Sequence, residues 1–206
     1  MENKKIKKHW TVKEIILLGL VGVFFGTFYF VYGLPYQTFV SLCAPIVSFV
    51  KTHSLVLSLD YGQTANIIAG AVTIGPWVMA GPLSALIVRK PGAAIIGETL
   101  AGIIEMAIGS AWGITDFLMG IGEGFGSEIG FALVNYKNYK VGLWISTLTC
   151  SFVTFLMFFF INAFYKFKLS FNSLLFILFF VSTFIFAGIV VFFIYKILKK
   201  SKAVKY

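Results

Sequence analysis

A chain of 206 residues that is 59% apolar and 12% charged, with a mean hydropathy of +0.91, carries far more hydrocarbon than a soluble fold needs and matches an integral membrane protein. Two cysteines, Cys43 and Cys150, and two histidines, His9 and His53, are too few for a disulfide framework, a zinc site or a redox centre, so no metal and no cofactor is expected. The net charge of +9 would suit nucleic acid in a soluble protein, but here it reports topology and contact with anionic headgroups, and nucleic-acid binding is not expected.

Lysines crowd the N-terminal stretch 1–13, and the first apolar run is Ile15–Gly33. It is too long for a secretory signal and has no small-residue cleavage site, so it reads as a retained first helix. Gly22 and Gly26 form a small-xxx-small ladder on it, which suits either packing within the bundle or docking of a partner helix. Residues 34–60 follow. Within them Gln37–Val50 is mostly apolar, contains Pro45 and ends at Lys51 and His53, which is short for a span and suits an interfacial or re-entrant lid over the outer face. The second span, Thr64–Val88, is broken by Gly75-Pro76 and by Pro82. Local unwinding there would expose backbone groups to a cavity, which makes the adjacent Trp77 a candidate ligand contact. Arg89-Lys90-Pro91-Gly92 has neither the spacing nor the preceding strand of a phosphate loop. Pro91 suits the first turn of a third span, Ala93–Trp112. Phe117–Val134, Val141–Tyr165 and Leu174–Ile197 complete helices 2–6 over residues 64–197, before a basic tail at 198–206. The expected fold is an all-α bundle of six transmembrane helices forming a single membrane domain, 1–206.

Charge placement supports six spans. With the N-terminus inside, Lys4, Lys5, Lys7, Lys8, Lys13, Arg89, Lys90, Lys137, Lys140, Lys196, Lys199, Lys200, Lys202 and Lys205, fourteen of the 17 basic residues, all fall on the cytoplasmic side. A seventh span at Gln37–Val50 would put the last cluster outside. Both termini are therefore expected in the cytoplasm.

Four of the eight acidic residues, Glu98, Glu105, Glu123 and Glu128, lie inside apolar stretches. A carboxylate at bilayer depth costs roughly 2.5 kcal/mol or more, so such groups usually face a bundle interior or a ligand. Glu98, Glu105 and Trp112 recur every seven residues and share one helix face. With Thr115 or Asp116 as the cap of the next helix, Glu105 and Glu123 are expected at similar depth, and Glu98 and Glu128 together more deeply. Each glutamate could also be a structural hydrogen-bonding group between helices. Close packing has a cheaper device in the glycine ladders Gly109/Gly113, Gly120/Gly124 and Gly122/Gly126/Gly130. Trp112 fits either a pocket wall or an interfacial anchor, and Asn162 either a helix contact or a ligand contact. Carboxylates with large aromatics favour a flat cationic or amine-bearing ligand, such as an aminopyrimidine or a thiazolium.

Lys90-Pro91-Gly92-Ala93-Ala94, Gly97-Glu98, Glu105, Gly109, Trp112-Gly113 and Gly122-Glu123-Gly124-Phe125-Gly126-Ser127-Glu128, with Phe131-Ala132, resemble the YkoE-type S component of energy-coupling-factor (ECF) vitamin transporters. The resemblance covers about 45 residues, extends weakly through Gly75 and Trp77, and is absent from 141–206. It implies a six-helix subunit of the bacterial cell membrane that binds thiamine or its hydroxymethylpyrimidine precursor. Such a subunit docks on a transmembrane coupling (T) subunit served by two ATPases, so the partners hydrolyse the ATP. The family usually has glutamine where this chain has Glu123, and the segment from Gly33 to Ala71 is longer than the family's. Two other functions are weighed: an accessory scaffold without a ligand, and an intramembrane enzyme using Glu105 and Glu123 as acid and base, which would lack a nucleophile or metal.

Overall fold

The computed structural model describes residues 10–56 and 58–201. The lysines of 1–9 and those of 202–206 lie outside the described residues. All regular structure among the described residues is helical: α1 (Val12–Gly33), α2 (Tyr36–Leu42), α3 (Ala44–Thr52), α4 (Tyr61–Thr73), α5 (Ala80–Val88), α6 (Ala93–Ile108), α7 (Ile114–Leu133), α8 (Tyr139–Ile161), α9 (Leu169–Thr183) and α10 (Val191–Lys200). A 3-10 turn, Gly75–Val78, joins α4 to α5, and a π-helical turn, Phe184–Val190, joins α9 to α10.

These elements form six rods: α1, α4 with α5, α6, α7, α8, and α9 with α10. By length and hydropathy α1, α8 and the continuous rod Leu169–Lys200 can each cross a bilayer, and α4 with 75–88, bent by 40°, can make a fourth crossing. α6, 16 residues or about 24 Å long, and α7, which carries three acidic residues, do not reach that standard by themselves. Both are shielded by neighbours, since α6 packs between α1 and α7, and α7 between α6 and α8. α1 starts earlier than expected because Thr11 and Glu14 form a capping box, with the Thr11 N–H donating to Glu14 Oε2 at 2.8 Å. Glu14 also pairs with Lys90 Nζ at 2.6 Å, which ties α1 to the α5–α6 loop.

Glycine allows the central rods to approach. A Cβ on Gly120 would meet the Glu98 carbonyl at 2.9 Å, and one on Gly124 would meet Ile95 Cα at 2.8 Å. On the other side of α7, a Cβ on Gly126 would meet Cys150 Cα at 2.9 Å, and Gly130 lies against Ser146. α7 thus has one glycine face for α6 and another for α8, as the ladders implied. Two expectations are corrected. Gly22 and Gly26 do not form a free docking face: a Cβ on Gly22 would meet Leu100 Cβ at 2.7 Å, and one on Gly26 the Ala101 carbonyl at 2.6 Å, so both residues seat α1 on α6. Gly109 and Gly113 are not a packing ladder but turn residues with φ of 108° and 57°, a region that glycine enters freely; Gly109 ends α6, whose last residue is four before Trp112, and Gly113 caps α7. Pro91 likewise precedes α6, whose cap is Gly92.

The predicted break in the second span is present at 75–78, but its freed amides do not face a ligand. Gly75 N donates to Ser182 Oγ at 2.9 Å, and Ser182 Oγ donates to the Val72 carbonyl at 2.6 Å. Met79 N and Ala80 N donate to Tyr29 Oη at 3.1 and 2.9 Å, and Gly81 N to Glu98 Oε2 at 2.6 Å. Side chains of α1, α6 and α9 therefore satisfy the unwound backbone, as the bilayer interior requires. The expected lid, Gln37–Val50, is the helix pair α2 and α3, with Pro45 in the first turn of α3. Tyr61 Oη donates to the Ala44 carbonyl at 3.3 Å, and Lys168 Nζ to the Ser54 carbonyl at 2.9 Å, pinning the segment to α4 and to the start of α9.

Candidate functional site

A cavity of about 380 Å³ lies between α1, α2, α4, α6, α7 and α8. Glu98, Glu105, Trp112, Glu123 and Trp77 all line it, and so does Asn162. Glu128 does not. Its carboxylate sits at the opposite end of the bundle, accepting from Gly92 N at 2.8 Å, Ala94 N at 2.9 Å and Tyr136 Oη at 2.7 Å. The expected ligand residue is thus a clamp on the first turn of α6, where unpaired amides and the helix dipole both favour an anion.

The depth pairing also differs from expectation. Along the antiparallel α6–α7 contact, Gly102 lies against the Asp116 carbonyl, Gly120 against Glu98 and Thr99, and Gly124 against Ile95. Glu105 is only three residues from the end of α6, about 4.5 Å, whereas Glu123 is nine residues into α7, about 13.5 Å. Side chains tilt toward the N-terminus of their own helix, so those of α6 and α7 lean toward each other. Glu105 therefore meets Asp116, and Glu98 meets Glu123. The expected pairs failed because α6 ends at Ile108 and α7 starts at Ile114, capped by Gly113 rather than by Thr115 or Asp116.

The two levels lie seven residues apart on each helix, about 10 Å. At the deeper level Glu98 is committed to the scaffold, accepting from Tyr29 Oη at 2.7 Å and from Gly81 N. Glu123 is 4% exposed, and its carboxylate accepts no hydrogen bond among the described residues. At the level nearer the α6–α7 turn, Glu105 Oε1 accepts from Trp77 Nε1 at 3.0 Å, while Asp116 Oδ2 is buried without a partner. Among the described residues no lysine, arginine or histidine lines the cavity.

Aromatic rings surround that upper level. Trp77 and Trp112 meet edge to face at 5.6 Å, Tyr36 meets Trp112 at 5.4 Å, and Tyr32 meets Trp77 at 4.7 Å. Gly33 makes room for this cluster, since a Cβ there would lie 2.8 Å from Trp112 Cζ3. Tyr36, at the start of α2, donates to the Asn66 carbonyl at 3.2 Å, and burial pushes its hydroxyl up to about 12, so it remains a donor at neutral pH. Trp112 is thus a cavity wall, although it is also 37% exposed.

Sequence reasoning missed Tyr29, Tyr36, Asn66 and Asp116 as cavity residues. Tyr29 had a signal: it continues the Gly22/Gly26 face at i+3, where a phenol must find partners inside the bundle. Asp116 was taken for a cap because caps and site carboxylates look alike in a sequence.

The family described as "ABC-type cobalt transport system, permease component" matches residues 13–153. A curated relative, "Putative HMP/thiamine permease protein YkoE" of Bacillus subtilis (strain 168), is 27% identical over 135 residues, 65% of this chain and 56% of its own length. The chain therefore spans about half the length of that relative. A crystal structure of an S-component of an ECF transporter superposes with a TM-score of 0.75 at 20% identity, covering 94% of this chain and 88% of that one. The fold is thus the S-component fold.

Proposed function

This chain belongs to the family of permease components of ABC-type cobalt transport systems, and from that premise we propose that it is the substrate-binding S component of an ECF importer for thiamine or hydroxymethylpyrimidine. One observation carries the reading: the unpartnered Glu123 carboxylate faces a cavity whose other end is walled by Trp77 and Trp112. A buried carboxylate without a counter-charge calls for a donor or cation, and indole faces favour a flat, electron-poor ring. An aminopyrimidine supplies both, and a thiazolium adds a fixed charge. Among the described residues no three His, Cys, Asp or Glu side chains converge as a metal ion would need, which favours an organic cargo over cobalt. The relative's name points to the same ligands.

In this mechanism the ligand enters at the α6–α7 turn, beneath α2 and α3, and Glu123 takes its amine. Six spans with both termini in the cytoplasm put that mouth outside and the basic clusters inside. Release follows docking on a T subunit driven by two ATPases, so the chain needs no ATP site and performs no catalysis. Titration calorimetry of the purified subunit with thiamine and hydroxymethylpyrimidine tests the reading. Glu123→Ala is expected to weaken binding by roughly ten- to a hundredfold, the loss of one charge-assisted hydrogen bond, and Glu123→Gln by less. Tight binding of both ligands that neither substitution alters would refute it.

A further inference from the structure

The cavity has two levels of carboxylates, and each level keeps a carboxylate oxygen that no described donor engages. At the deep level Glu98 is held by Tyr29 and Gly81, leaving Glu123; at the mouth Glu105 Oε1 is held by Trp77, and Asp116, bonded to Ser110 through its other oxygen, keeps a buried, unpartnered Oδ2. Asp116 does not cap its helix, because the α7 cap is Gly113 with no side-chain bond. With Thr115, Met119, Gly120 and Glu123 it forms the cavity-facing side of α7, and among the described residues no basic side chain lines that cavity. The seven residues from Asp116 to Glu123 place these two carboxylates about 10 Å apart along the cavity axis.

The geometry points to Asp116 as a specificity-determining residue: it selects, beside Trp77 and Trp112, ligands that carry a second, permanently cationic group in addition to the amine that Glu123 binds. A one-ring aminopyrimidine reaches one carboxylate level. A two-ring ligand with a cationic ring reaches both, its charge set between the indoles and Asp116, where the ring faces and the carboxylate act on the same cation. Trp77 supports this arrangement through its indole N–H, which occupies Glu105 Oε1, while Asp116 Oδ2 stays unpaired at the same level. The inference rests on the thiamine or hydroxymethylpyrimidine reading and assigns the contact that distinguishes the two.

The test is titration calorimetry of wild type and Asp116→Asn with thiamine, which has the fixed cation, and with hydroxymethylpyrimidine, which lacks it. Asparagine keeps the shape and one acceptor oxygen, and removes the charge. Thiamine binding is expected to weaken by about tenfold or more while hydroxymethylpyrimidine stays within about twofold. If only thiamine binds wild type, the same loss on thiamine alone supports the assignment. Equal weakening of both ligands, or no change in thiamine binding, overturns the role of Asp116 and leaves the transporter reading standing, as does a wild type that binds hydroxymethylpyrimidine alone. A wild type that binds neither overturns the ligand reading and this inference together.

Discussion

Glu128→Ala separates a structural carboxylate from a binding one. Glu128 accepts three hydrogen bonds, from Gly92 N, Ala94 N and Tyr136 Oη at 2.8, 2.9 and 2.7 Å, and is 6% exposed. Truncation leaves two amides of the first turn of α6 and one phenol without their acceptor. A hydrogen bond to a charged group contributes about 1.5–3 kcal/mol, and three bonds that share one carboxylate do not add fully, so the expected loss is about 3–5 kcal/mol. For a chain of 206 residues, a destabilisation of that size lowers the thermal midpoint by roughly 10 °C. Size-exclusion chromatography of detergent-solubilised protein after graded heating measures the midpoint, and calorimetry on the surviving fraction measures ligand affinity. Glu128→Gln keeps one acceptor and is expected to fall between wild type and alanine. An alanine variant with an unchanged midpoint and abolished binding would refute the clamp and return Glu128 to the ligand site.

Gly26→Leu is expected to disrupt the bundle, because a Cβ there already lies 2.6 Å from the Ala101 carbonyl and from Ile104 Cβ; uptake in cells and ligand binding by the isolated subunit are lost together, whereas binding with uptake lost would mark a docking face. Trp112→Ala removes one wall of the aromatic cluster, and an affinity loss of about tenfold with unchanged expression is expected by calorimetry; the reverse pattern would make it a membrane anchor. Cysteines placed near Lys137 or Arg89 are expected to react with an impermeant thiol reagent only from the cytoplasmic side, and one in the turn at 109–113 only from outside. Reversed labelling would place the cavity mouth on the wrong face for uptake.

Much of this architecture could be read directly from the residues. The apolar runs located all six rods to within a few residues, Gly75-Pro76 marked the broken helix, and the spacing of Glu98 and Glu105 placed them on one face, because each signal depends on local chain geometry; Trp112, expected on that face, lies instead in the turn beyond the end of α6. Tertiary structure decided which carboxylates are free. Glu98 and Glu128 look like Glu105 and Glu123 in the sequence, yet the first is taken up by Tyr29, 69 positions away, and by Gly81, and the second by the start of α6. The pairing of depths turned on where α6 ends and α7 begins, and that was decided by Gly109 and Gly113, both with positive φ, rather than by the apolar pattern, which continues to Trp112. A buried carboxylate is structural or available according to the donors that the fold brings within hydrogen-bonding distance, and those donors come from chain segments remote in sequence.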